Sequence, residues 1–79
     1  MDLNDELAKC EHLRNPPVPV TVNRPLDDES WPGLLHGWAD APGGRTGGLR
    51  GLVTYQRDIG SGYVQDVVSW VKAADVRQA

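Results

Sequence analysis

The sequence predicts a mainly β fold, a small five-stranded barrel preceded by one short amphipathic N-terminal α-helix. Three observations predict it. Apolar residues recur at every third or fourth position up to Arg14, and at every second position after Pro17. The later part is divided by glycine-rich turns into runs the length of short strands. At 79 residues the chain fits one domain, and a fold of that size buries only roughly 60 to 65% of the surface its unfolded chain exposes.

The helix is read from Leu3, Leu7, Cys10 and Leu13, whose steps of four, three and three place them on one stripe between Asp2 and Arg14. Asp2 or Asn4 caps the first turn, early acids and Arg14 suit the two ends of the helix dipole, and Asn15-Pro16-Pro17 stops it. A helix this short is marginal alone, so its stripe must pack on the barrel, on a second copy or on a partner. Residues 1–15 are thus the helical segment and residues 17–79 the barrel.

Val18, Val20 and Val22 alternate with Pro19, Thr21 and Asn23, as in a strand with one buried face. Pro19 has no N–H, which places this strand at an edge or pairs it only through its other side. Residues 23–30 read as a polar loop carrying Asp27-Asp28-Glu29, either a solvated loop or an acidic contact for a basic partner. A second strand follows from Trp31 to Ala39. Asp40 to Gly48, with four glycines and a proline, is a hairpin connection. Leu49–Arg57, a turn at Asp58–Gly62, Tyr63–Val71, a 3₁₀ turn at Lys72–Asp75 and a short strand at Val76-Arg77 complete the chain. These are the proportions of a small SH3-like barrel, in which the last strand closes the edge left by the first.

Eleven acidic residues against eight basic ones give a net charge of −3, which argues against a partner held chiefly by phosphate neutralisation. No apolar run approaches the roughly 20 residues that cross a bilayer. A single cysteine excludes an internal disulfide framework, and the opening residues lack signal-peptide character, so the expected setting is the reducing cytoplasm. Six arginines to two lysines, no Phe and abundant Gly suggest a GC-rich bacterial genome.

The pattern Trp31-Pro32-Gly33-x-Leu35-x-Gly37-Trp38, Arg50-Gly51-Leu52-Val53-x-Tyr55, Tyr63 and Trp70-Val71-x-Ala73-x-x-Val76-Arg77 resembles small actinobacterial proteins of a Tudor-like or Agenet-like cast over residues 18–77. The resemblance implies that the last of these runs ends the fourth strand, makes the 3₁₀ turn and begins the fifth. It also implies that Trp31, Tyr55 and Tyr63 surround a site that holds a cation against ring faces, each worth about 0.5 to 2 kcal/mol, with Asp58 or Asp66 strengthening the preference. The chain has Asp58-Ile59-Gly60-Ser61-Gly62 where eukaryotic Tudor domains carry an Asp-Tyr-Gly-Asn type of turn.

Two function classes follow. The first is a non-catalytic protein-interaction module, its groove made by Trp31, Tyr55, Tyr63, Asp58 and Asp66, with the Leu3, Leu7, Cys10 and Leu13 stripe as a partner or dimer contact. The second is a nucleic-acid-binding barrel that stacks bases on rings while Arg24, Arg45, Arg50 and Arg57 follow the backbone; five nearby acids oppose it. With no Phe in the chain, its Trp and Tyr residues can instead serve to fill the core. No nucleophile stands with a base in a pattern that supports catalysis. Cys10, His12 and His36 lack zinc-site spacing, so neither metal nor cofactor is expected. Gly43–Gly48 lacks the Gly-Lys-Ser/Thr ending of a phosphate loop and reads as a hairpin tip.

Overall fold

The structure, a computed structural model, describes residues 2–24, 29–40 and 48–78. It is mainly β. Helix α1 (Leu3–Leu7) precedes strands β1 (His12–Arg24), β2 (Glu29–Asp40), β3 (Leu49–Gly60) and β4 (Tyr63–Lys72), a 3₁₀ turn (Ala73–Asp75) and strand β5 (Val76–Gln78). The strands form one antiparallel sheet in the order β4-β3-β2-β1-β5. After the 3₁₀ turn the chain returns to the far side of the sheet, where Val76 pairs with Val22 and Gln78 with Val20. Among the described residues no ladder joins β4 to β5, so the sheet is open by hydrogen bonding.

The helix predicted to reach Arg14 ends at Leu7. Asp2 Oδ1 caps it by accepting from the Asn4 N–H at 3.0 Å. Its last turn tightens, with Lys9 N–H donating to Glu6 O and Cys10 N–H to Leu7 O. The reason is the length of β2. Beyond Leu35 its backbone continues to Asp40 and offers partners to the incoming chain: Glu11 N–H donates to Trp38 O at 2.9 Å, His12 pairs with Trp38 and Leu13 with Gly37. A ladder on a formed sheet outweighs a marginal helix. Leu13 consequently leaves the stripe and is 61% exposed on β1. Leu3, Leu7 and Cys10 keep a common face, and they pack it on the chain's own sheet. The boundary drawn at residues 15–17 therefore falls inside β1, where the double proline marks an irregularity between Leu13 and Val18.

Two apolar clusters lie on opposite faces of the sheet. Val20, Val22, Leu35 and Val53 form one, with Val18, Trp38, Tyr55, Val71 and Val76 packed against it. Ala39, Leu52 and Trp70 form the other, covered by Leu3, Leu7, Cys10 and Val68. Neighbouring strand residues point to opposite faces, and Leu52 and Val53 are both 0% exposed, so the middle of β3 is covered on both sides. In β2 the register shifts between Leu35 and Gly37. One extra residue there exchanges faces, sending Trp38 to the valine cluster and Ala39 to the Trp70 cluster.

The other elements fall close to expectation. Asp40 pairs with Leu49, so β2 and β3 are joined as a hairpin, while residues 41–47 lie outside the described residues. β1 runs on to Arg24 and β2 begins at Glu29, and Asp27 and Asp28 lie outside the described residues. β3 extends through Asp58 and Ile59, leaving Ser61-Gly62 as the turn that closes the Gly60–Tyr63 pair. Both turn residues have positive φ, 54° and 80°, as a two-residue type I′ hairpin requires. Pro19 pairs with Leu34, and β5 stops at Val20, so no ladder to β5 asks for the missing N–H. No described helix is long and apolar enough to cross a membrane.

Candidate groove at the fork between β2 and β3

β2 and β3 pair from Asp40–Leu49 to Gly33–Tyr55 and then part. On the far side of that point, Glu29–Pro32 pair with β1, and Gln56–Asp58 and Gly60 pair with β4. Two ribbons diverge from one sheet. An open cavity of about 800 Å³ lies in the fork, with Trp31, Pro32, Leu34, Tyr55, Asp58 and Asp66 among its lining. Its charged lining residues, among those described, are the two aspartates.

Register decides which groups share a side. Trp31 pairs with Val22 and Tyr55 with Gly33, which places both rings on the valine-cluster face. The rings stack with centroids 6.5 Å apart and planes 26° from parallel, within the ordinary range of an aromatic pair. Their inner faces are therefore spent on each other rather than held apart as walls around a cation. Trp31 Nε1 is buried without a hydrogen-bond partner among the described residues. Asp58 and Asp66 occupy even positions of β3 and β4, on the opposite face, where Asp66 pairs with Gln56 and Asp58 with Val64. Gln56 Nε2 donates to Asp66 Oδ1 at 3.2 Å, and Asp58 Oδ1 accepts the Gly60 N–H at 2.8 Å. The cavity thus wraps around the end of the paired region, with rings toward one side and carboxylates toward the other.

Of the five groove residues expected from sequence, four line this cavity and Tyr63 does not. Tyr63 is 70% exposed at the start of β4, four residues before Val67, the partner of Tyr55, so roughly 13 Å along the strand. Sequence reading missed Leu34 and Val64, both exposed and both lining the cavity. Leu34 stands beside buried Leu35, whereas Val64 lies between exposed Tyr63 and Gln65 and carries no such signal.

The arginines do not form one track. Arg50 and Arg57 lie seven positions apart in an unbroken stretch of β3, hence on opposite faces, and Arg45 lies outside the described residues. His36 Nε2 is 2.7 Å from Thr54 Oγ1, and burial pushes its imidazole below the ordinary histidine range. Burial, with a smaller contribution from the Glu6 charge, pushes the Cys10 thiol up. No group of three or more metal-ligating side chains is gathered among the described residues. No protein-family model, curated protein or solved structure matches the chain.

Proposed function

We propose that the chain is a non-catalytic protein-interaction module, a small SH3-like barrel of Tudor-like cast, that receives a peptide bearing a basic side chain in the fork between β2 and β3. The observation that carries this reading is the lining of the cavity: the Trp31–Tyr55 pair and Leu34 supply apolar surface, Asp58 and Asp66 supply negative charge, and no basic residue joins them among those described. Such a site favours a partner that is apolar in part and cationic in part. The barrel reading is supported by the strand order, with β4 passing through a 3₁₀ turn into a β5 that pairs with β1. A lone thiol without a disulfide partner suits the reducing cytoplasm.

Selection from a random peptide library on the immobilised protein tests the reading. Sequences rich in Lys or Arg are expected, and the Asp58→Asn, Asp66→Asn double variant is expected to bind them at least about tenfold more weakly, as loss of one to two charge pairs implies. Its thermal midpoint should stay near that of the parent, because both carboxylates are exposed. Selected peptides without basic residues, or equal binding to the double variant, would sink the groove assignment. Tight, salt-sensitive binding of single-stranded oligonucleotides would favour a nucleic-acid module instead.

A further inference from the structure

Beyond Tyr55, β3 has a partner on one side only. Gln56, Arg57, Asp58 and Gly60 pair with β4, with a register shift past Ile59, and among the described residues nothing pairs with the other edge of this stretch, the edge that faces the fork. An unpaired strand edge is a template for another chain. This one is flanked by exposed Ile59, Val64 and Leu34. The Gly60 N–H is already taken by Asp58 Oδ1 and the register shifts past Asp58, which leaves Gln56–Asp58 as the regular stretch. Across the fork, Pro32 lacks an N–H, so β2 is the poorer template of the two.

We infer that the partner binds by strand addition: an extended, amphipathic peptide, basic and apolar at alternate positions, pairs with the free edge of β3 inside the fork. The inference rests on the groove reading above and specifies its occupant and binding mode. Period-two alternation connects the edge to the cavity's chemistry. Peptide residues on the face shared by Gln56, Asp58 and Asp66 meet carboxylates and carry the cations. Residues on the other face meet the side of the Trp31–Tyr55 pair, where exposed Arg57 also stands and disfavours a second cation, and are apolar. Main-chain hydrogen bonds supply affinity and the alternating side chains supply selectivity.

The probe is an end-blocked heptapeptide of alternating lysine and valine, Lys-Val-Lys-Val-Lys-Val-Lys, titrated against the full chain by calorimetry. Binding is expected, and the counterpart with glutamate in place of lysine should bind at least tenfold more weakly. Two further peptides carry N-methyl groups on the lysine amides or on the valine amides. Only alternate residues of an added strand bond to a given neighbour, so one N-methylated peptide should lose at least tenfold in affinity and the other should keep most of it. Bound peptide should slow amide exchange at the alternate residues of Gln56–Asp58 whose N–H groups face the fork. Equal binding of both N-methylated peptides, or exchange protection confined to β4, overturns strand addition. If Asp58→Asn, Asp66→Asn still weakens binding in that case, the groove reading survives without it. Absence of binding by the lysine peptide overturns the inference, and the library selection then decides the groove reading separately.

Discussion

At the scale of single residues, two half-buried titratable groups have consequences that can be measured. His36 accepts or donates one hydrogen bond with Thr54, and burial favours its neutral form in the folded chain. Its folded pKa lies below its unfolded value of about 6.5. The unfolded chain therefore takes up the proton first as pH falls, and the contribution of neutral His36 is present above about 6.5 and lost as pH drops through the folded value. Urea midpoints between pH 8 and pH 5 should decline more steeply for the parent than for His36→Gln; parallel profiles would exclude this group as the cause. Cys10 shows the opposite displacement for a related reason. Burial disfavours its thiolate, and the nearby Glu6 charge adds to that. Since the thiolate is the nucleophile, iodoacetamide at pH 7.5 should label Cys10 several-fold more slowly in native protein than in urea. Cys10 was legible in the sequence as an apolar stripe residue, and the structure keeps it facing the Trp70 cluster although it lies past the end of the helix.

At the scale of elements, the strands were legible because alternation and glycine turns both report local backbone geometry. The end of α1 was not. Leu3, Leu7, Cys10 and Leu13 fit a helix, and nothing local shows that β2 continues past Leu35 to pair with His12 and Leu13. Gly37 is the residue that makes this possible. A Cβ there would stand 2.8 Å from His12 O and 2.9 Å from Cys10 Sγ, so only glycine lets the incoming segment lie against β2. Gly37→Ala must displace backbone at His12, and overpacking of this kind costs roughly 1–3 kcal/mol. The expected result in urea titration is a loss of that size, together with faster amide exchange at Glu11, whose N–H bonds to Trp38 O. A stable Gly37→Ala protein with unchanged exchange would show that the contact is dispensable. The fork was illegible for a similar reason. The sequence shows two strands and a turn, while the place where their pairing stops depends on β1 and β4 each claiming the other ribbon. Alternation did contain one usable clue, since Tyr55 and Asp58 are separated by an odd number of positions and so cannot face the same way on a regular strand.

At the scale of the whole molecule, covering both faces of one sheet makes α1 part of the core. A small domain with a one-sided core would tolerate loss of a five-residue helix. Here Leu3, Leu7 and Cys10 cover Leu52, Ala39 and Trp70, the cluster on the face opposite the valines. Folded chains carry only about 0.05–0.15 kcal/mol of stability per residue, and truncating one buried leucine to alanine costs about 2–5 kcal/mol. Leu52→Ala, at a fully buried position, should therefore remove a large share of the total, and Leu7→Ala, at a half-buried one, a smaller share. Because both mutations empty the same cluster, their joint effect should fall short of the sum. Leu7→Ala paired with Val20→Ala, which touches the opposite cluster, should come closer to additivity. Denaturant titrations of the two double variants and their singles decide the matter. Additivity in the first pair would mean that α1 packs independently of Leu52, and the two-faced core would have to be abandoned.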